Sequence, residues 1–189
     1  MYSMSSENEP QEMPVDSTPD PSESEFSQEE IEHIFSVLYA QQNLPMGILA
    51  GLITSIGSAV AWAAITVAME YQIGWLAIAV GFIVGYAVRI GGKGISKIFG
   101  IVGASLAIIA VLGGNFLSII GFIANEHNFG YFDVLRSFPY SETFVVMKET
   151  FSPIDILFYG LALWEGYRFS FRQITPEMIE DCSPLERTE

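Results

Sequence analysis

Residues 73 to 125 contain two long apolar runs joined by a short basic turn, and this stretch constrains the fold more than any other. The interiors of both runs are free of charge. A helix satisfies its backbone N–H and C=O groups internally, so a charge-free apolar run of about 20 residues is typical of a membrane-spanning helix. The turn, Arg89 to Lys97, holds three of the chain's eight Lys and Arg residues. We therefore predict a helical hairpin in a bilayer, with its basic turn in the cytoplasm.

Two further apolar segments predict two further spanning helices. Positions 46 to 69 carry no charged residue and follow Pro45. Near the end of the chain, Ser152, Pro153 and Asp155 form a helix start ahead of an apolar and aromatic run, with Asp155 as a capping residue. The predicted fold is an all-α, polytopic membrane helical bundle. Its four transmembrane helices are predicted at about 46–69, 73–90, 98–124 and 153–171, within a domain that covers 44–172.

The remaining segments are polar or amphipathic. Residues 1–26 are acidic and poor in large apolar side chains, which predicts a disordered tail. Residues 27–43 place apolar side chains at helical spacing behind a capping-box pattern, which predicts a cytoplasmic amphipathic helix lying on lipid or on protein. The aromatic loop 126–151 is predicted to be external, with one or two short helices. Residues 173–189 are predicted to form a cytoplasmic polar tail.

The positions of the basic residues indicate the orientation. With four crossings, both termini lie on the same side as the basic turn, and most of the basic residues near the predicted helix ends lie there too. We therefore predict a multi-pass protein of the cell inner (plasma) membrane with a cytoplasmic N-terminus and C-terminus. Of the basic residues near the helix ends, this topology places five in the cytoplasm, Arg89, Lys93, Lys97, Arg168 and Arg172. It places two outside, Arg136 and Lys148.

Composition excludes several functions. The net charge is −14, and no Lys or Arg precedes Arg89, so the chain has no basic patch to neutralise nucleic-acid phosphates. Cys182 is the single cysteine, and His33 lies far from His127, which is not the spacing of a metal site. No nucleophile, base and acid stand in a catalytic pattern. We therefore predict a protein that is not an enzyme and that uses no cofactor.

Small residues recur at four-residue spacing on the first two predicted spanning helices. The first helix carries Gly47, Gly51 and Ser55, and the second carries Gly81 and Gly85. Such spacing lets helix backbones approach closely inside a membrane. We expect the two small faces to meet, and we expect glycine-rich faces to support association with a second copy or with another membrane protein.

Two polar side chains inside the predicted spans are functional candidates. Asn115 should hydrogen-bond to a neighbouring helix or line a wet cavity. Glu165 either pairs with Arg168 or Arg89 as a structural clasp, or it takes a proton or ion role. The expected partners of Asn115 are hydroxyl groups of the first helix: Thr54, Ser58 and Thr66.

The basic turn is a further functional candidate. Gly91 to Gly94 lack the spacing of a phosphate-binding loop, because Ala87 stands where the first glycine is required and Gly94 follows Lys93. Arg89, Lys93 and Lys97 could still hold an anionic lipid headgroup, or they could serve only to set the topology.

Three motifs resemble those of small four-helix inner-membrane proteins of bacteria, a family without an assigned activity. They are GFIVGYAVR at 81–89 with GKG at 92–94, DILFYG at 155–160, and EGYR at 165–168. The resemblance covers about 46–172 and implies the fold without implying an activity. In some of those proteins the membrane part follows a cysteine-rich zinc ribbon, which this chain replaces with an acidic tail.

Two functions remain open from the sequence. The first is a scaffold or accessory subunit that packs through glycine-rich helix faces and presents its amphipathic helix to a partner. The alternative is a small transporter or an oligomeric channel, with Asn115 and Glu165 on the path. The sequence predicts the lipid bilayer as a partner in either case, and no nucleic acid.

Overall fold

The computed structural model describes residues 28–71 and 73–182, and all regular secondary structure in that part is helical. The prediction of an all-α fold is therefore confirmed. The acidic tail 1–26 lies outside the described residues, as do the last residues of the polar tail, 183–189. The α-helices are α1 (Gln28–Ala40), α2 (Leu44–Met69), α3 (Leu76–Gly92), α4 (Lys97–His127), α5 (Tyr131–Ser137), α6 (Thr143–Thr150), α7 (Pro153–Arg168) and α8 (Pro176–Cys182), with a 3-10 turn at Tyr140–Glu142.

Four of these helices, α2, α3, α4 and α7, pack side by side as a bundle. Helices α3 and α4 contact each other, and each also contacts α2 and α7. Trp62, Val84, Val88 and Val111 belong to one buried cluster that links the helices. We call the end of the bundle with residues 93–96 the turn end, and the opposite end, with residues 128–152, the loop end.

Two of the four bundle helices could span a membrane by length and hydropathy: α2 with 26 residues and α4 with 31. Helix α3 is apolar but has 17 residues, and α7 has 16. At 1.5 Å per residue, α3 and α7 are about 26 Å and about 24 Å long. Helix length and hydropathy thus support two of the four predicted crossings.

Large apolar side chains are exposed on all four bundle helices. In water such a surface would be unfavourable, since full burial of a side chain of this kind contributes about 1.5–3 kcal/mol and each of these residues gains only part of it. The exposed residues are Ile53, Ile56 and Val60 of α2, Phe82 and Ile83 of α3, Ile101 and Ile109 of α4, and Ile156, Leu157 and Leu163 of α7.

The predicted external loop forms short helices against the loop end. Val134 of α5 and the nearby Phe138 are buried in a cluster with Ile120 and Ala124 of α4. Helix α6 follows and places Met147 near the ends of α2, α4 and α7. The loop therefore covers this end of the bundle.

At the turn end, the amphipathic helix α1 packs on the C-terminal segment of its own chain. Ile34 and Leu38 are buried, and α1 contacts α8. An apolar groove between the two segments is lined by residues of α1 and by Ile174 and Ile179. We expected this helix to lie on lipid or on protein, and in the structure it packs on a segment of its own chain.

Candidate functional site

The small residues of α2 face the interior of the bundle. Gly47, Gly51 and Ser55 are buried against α3 and α4. A methyl group added at Gly47 would come 3.1 Å from the Cα of Gly92, and one at Gly51 would come 2.6 Å from the Leu106 side chain. The Ser55 hydroxyl donates a hydrogen bond to the Leu106 carbonyl at 3.1 Å. This face is filled by the chain's own helices.

Gly81 and Gly85 of α3 face α7 and not the small face of α2, which differs from our expectation; on α3 it is Gly92 that lies against Gly47. A methyl group added at Gly85 would come 2.8 Å from the Gly166 carbonyl oxygen, and Gly81 lies directly against the backbone of Ala162. Ala162 and Gly166 are themselves four residues apart, a small pair that the sequence analysis missed. Four small residues thus let two backbones touch within one chain.

A different row of small residues on α2 points away from the bundle. Gly57, Ala61, Ala64 and Ala68 are all exposed, and their spacing of four, three and four residues places them on one helix face. No atom lies within 4 Å of a methyl group added at Gly57. Ala64 and Ala68 also line a groove of about 740 Å³ between α2, α4 and α5. We call these four residues the α2 stripe.

Asn115 hydrogen-bonds to α7, whereas we expected a hydroxyl group of α2 to bond it. Its amide nitrogen donates a hydrogen bond to the Tyr159 hydroxyl. The Thr54 hydroxyl instead donates to the carbonyl of Ala50, at 2.8 Å on its own helix. Asn115 therefore links α4 to α7 inside the bundle.

Asn115 also lines a cavity of about 80 Å³ at the loop end, which we call the polar cavity. Residues of α2, α4 and α7 form its walls, and Met147 and Phe151 cover it. Its volume is several times what one water molecule requires. The polar side chains that line it are Thr66, Asn115, Ser118, Asp155 and Tyr159.

Glu165 lies away from the polar cavity, near the turn end. Within the described part of the chain it forms no ion pair with Arg168 or Arg89. The Arg89 guanidinium lies 5.7 Å from the ring centre of Tyr86, and the Arg168 guanidinium lies 5.7 Å from that of Phe169. Glu165 is half-buried, and the clasp that we considered is not formed among the described residues. Glu165 is not among the described residues that line the cavity around Asn115.

Arg89, Lys93 and Lys97 surround the basic turn. Lys93 ends α3 in the left-handed conformation with φ 49°, and its N–H donates to the Arg89 carbonyl at 2.9 Å. The side chains of Lys93 and Lys97 are exposed, and that of Arg89 is half-buried. Their positive charges are available at one end of the bundle.

Other segments of the chain hold this turn in place. The Gln42 side-chain oxygen accepts hydrogen bonds from the N–H groups of Ile95 and Ser96, both at 3.2 Å. The N–H of Arg172 donates to the Gly94 carbonyl at 2.8 Å. The turn therefore joins the connection before α2 to the segment after α7.

No family model, curated protein or solved structure matches the chain. Among the described residues, no group of three or more His, Cys, Asp and Glu could hold a metal ion. The packing faces and the polar cavity are thus the features from which a function can be argued.

Proposed function

We propose that α2, α3, α4 and α7 all cross a bilayer. The support is that each of the four helices exposes large apolar side chains, which lipid would cover. Helices α3 and α7 are a few ångströms shorter than a hydrocarbon core of about 30 Å, a mismatch that local thinning accommodates. Trp75 and Trp164, both exposed near helix ends, suit the membrane interface.

The same proposal places both termini in the cytoplasm of the inner membrane. Helices α1 and α8 contact each other at the turn end, which requires an even number of crossings between them. The turn end carries Arg89, Lys93 and Lys97, and the positive-inside rule assigns such an end to the cytoplasm.

Within this membrane we propose a non-enzymatic scaffold or accessory subunit that associates through the α2 stripe. The observation that carries the proposal is the open space beside Gly57, on a helix whose other small face is filled. Lipid offers no hydrophobic drive for helix association, so close backbone approach over small residues is the usual substitute. The partner is a second copy or another membrane protein.

This proposal moves the association surface from Gly81 and Gly85, where we expected it, to the α2 stripe. The α3 glycines are occupied by α7, so a partner helix cannot reach them without opening the bundle. On the cytoplasmic side, α1 keeps Phe35 and Tyr39 exposed one helical turn apart. These two rings suit contact with a cytoplasmic partner.

The test compares two glycines at which an added side chain would meet no other atom of the described chain. Gly57→Leu fills the α2 stripe, whereas Gly160→Leu adds the same side chain to α7, where an added methyl group also meets no atom within 4 Å. We expect Gly57→Leu to abolish association and Gly160→Leu to preserve it. The measurement is the mass of the nanodisc-embedded protein and of whatever copurifies from its native membrane.

Two outcomes would contradict the accessory role. One is a wild-type protein that is monomeric and carries no other protein from its native membrane. The other is a Gly57→Leu variant with the same mass and the same copurifying proteins as the wild type.

The second candidate function, a small transporter or oligomeric channel, is favoured by the polar cavity around Asn115. Polar groups inside a membrane bundle often mark an ion or substrate path. Glu165 would take part only as a separate site near the turn end, since it does not line this cavity. Reconstituted protein should then show ion flux that falls in Asn115→Leu and Glu165→Gln. Absence of flux for protons, Na⁺ and K⁺ would contradict this function.

A further inference from the structure

A buried carboxylate, that of Asp155, lines the polar cavity. Asp155 is 9 % exposed, and its carboxylate accepts a hydrogen bond from the N–H of Ser152 at 2.9 Å. None of the described residues that line the cavity is a Lys, Arg or His. An uncompensated buried charge has a desolvation penalty of several kcal/mol. The N-terminus of α7 offsets at most about 2 kcal/mol of it.

The same cavity contains a hydroxyl group without a hydrogen-bond partner. Thr66 is 1 % exposed, and its Oγ1 finds no partner among the described protein atoms. Thr54, on the same helix, shows the usual solution, a hydrogen bond to the carbonyl four residues earlier. Thr66 departs from that pattern where it lines the polar cavity, so its oxygen is open to a ligand.

Two further oxygens complete the lining. The Ser118 hydroxyl donates to the Gly114 carbonyl at 2.8 Å, which leaves its oxygen lone pairs free to accept or to coordinate. The Tyr159 hydroxyl oxygen already accepts from Asn115 and keeps a second lone pair. The cavity thus offers one carboxylate and several neutral oxygens, drawn from α2, α4 and α7.

We propose that the polar cavity binds a sodium ion, held by Asp155 and by the Thr66 hydroxyl, with Ser118 and Tyr159 oxygens beside them. Oxygen donors suit hard cations and not zinc or copper. Ca²⁺ takes about six to eight oxygen ligands and usually several carboxylates, whereas this site has one. A single positive charge balances the single carboxylate. The site lies within one chain, so it goes beyond the accessory role and does not rest on association or on transport.

The experiment measures the thermal unfolding of the purified full chain in detergent, in NaCl and in choline chloride at equal ionic strength. Since a ligand of the folded state raises its stability, we expect the Tm to rise by roughly 5 °C at saturating Na⁺. Asp155→Asn should lose this rise. Thr66→Val should need at least tenfold more Na⁺ for it. Thr54→Val, whose hydroxyl bonds only to its own helix, should respond as the wild type does.

Direct binding of ²²Na⁺ to the wild-type protein keeps the proposal testable if the variants fail to fold. Saturable binding with one ion per chain supports the site. The proposal is overturned if the wild type binds no ²²Na⁺ and has the same Tm in both salts. It is equally overturned if Asp155→Asn and Thr66→Val keep the full response to Na⁺.

Discussion

The face that joins α3 to α7 and the α2 stripe are built from the same kinds of residue, yet their surroundings differ. Gly81 and Gly85 lie against the backbone of Ala162 and Gly166, so the small residues bring two helices of one chain together. Gly57 lies on the opposite side of its helix from the bundle, and an added methyl group there would meet no atom within 4 Å. The same spacing therefore serves internal packing in one place and leaves a surface open in another.

Small residues at this spacing therefore indicate that another helix packs closely against them, but they do not identify which helix it is. In a membrane, every outward face contacts lipid, and Gly and Ala cover less lipid than Leu or Ile would. A stripe of small residues kept on such a face is consistent with a surface that another helix covers. Substitutions at the two kinds of glycine should then act on different quantities, stability for one and association for the other.

The largest expected effect is at the filled face. Gly85→Leu places a side chain 2.8 Å from the Gly166 carbonyl oxygen, a backbone atom that cannot rotate away. Overpacking of this kind should lower the free energy of unfolding by about 3 kcal/mol or more. Denaturation of the monomer in mixed micelles measures it, with Gly160→Leu as the control that should lose no stability, because a methyl group added at Gly160 meets no atom within 4 Å. Equal stability of the two variants would remove the distinction between the faces.

A smaller effect is expected where side chains and not backbone atoms fill the space. In Gly51→Ala, the new methyl group would meet the ends of the Leu106 and Val88 side chains at 2.6 Å. Both can shift rotamers, so we expect a loss of about 1 kcal/mol. The same denaturation assay measures it. A loss as large as that of Gly85→Leu would show that this part of the bundle is as rigid as the contact with α7.

Ser55→Ala tests the polar contact on the filled face of α2. It removes the 3.1 Å hydrogen bond to the Leu106 carbonyl. Hydrogen bonds between membrane helices contribute about 0.6 kcal/mol on average, so the expected loss is of that size. Ser105→Ala, an exposed serine on α4, is the matched control. If Ser55→Ala lowered the free energy of unfolding by more than about 2 kcal/mol, this hydrogen bond would contribute more than the side-chain packing tested by Gly51→Ala on the same face.

The smallest loss of stability, or a gain, is expected at the α2 stripe. Gly57→Ala meets no atom, and alanine loses less backbone entropy than glycine in a helix. The monomer should therefore be unchanged or more stable by up to about 1 kcal/mol. Unfolding followed under conditions that keep the protein monomeric measures it. A clear loss of stability there would mean that the stripe is part of the chain's own packing.

Much of the fold could be predicted from the sequence, because hydrophobic length determines helices directly. The charge-free run 46–69 corresponds to α2 at Leu44–Met69, and the long run after the basic turn corresponds to α4 at Lys97–His127. The spacing of Gly81 and Gly85 also indicated a packing face. Which helix fills it depends on how each helix is rotated, and the pattern of one helix does not contain that information.

The polar cavity, too, could be predicted only in part, because the pattern of one helix does not tell which side chains of other helices it meets. Asn115 could be singled out because it is an amide inside an apolar run, and Asp155 because it follows a helix-start pattern. Thr66 was one of the three hydroxyl residues expected beside Asn115, but the meeting of Asp155 with these two residues could not be predicted, since it requires α2, α4 and α7 to present polar side chains at one depth. Thr66 has no signal of its own in the sequence. In the structure, its burial, its place on the cavity wall and its missing hydrogen bond distinguish it from Thr54.

The central claim is that four helices cross the membrane, and cysteine accessibility tests it most directly. In a Cys182→Ser background, single variants Lys93→Cys and Asn128→Cys place a thiol at the turn end and at the loop end. Four crossings predict that an impermeant maleimide labels position 128 in intact spheroplasts and labels position 93 only after permeabilisation. If α2 and α4 alone crossed, with a cytoplasmic N-terminus, position 93 would be labelled from outside and position 128 would be protected, and the four-helix account would be wrong.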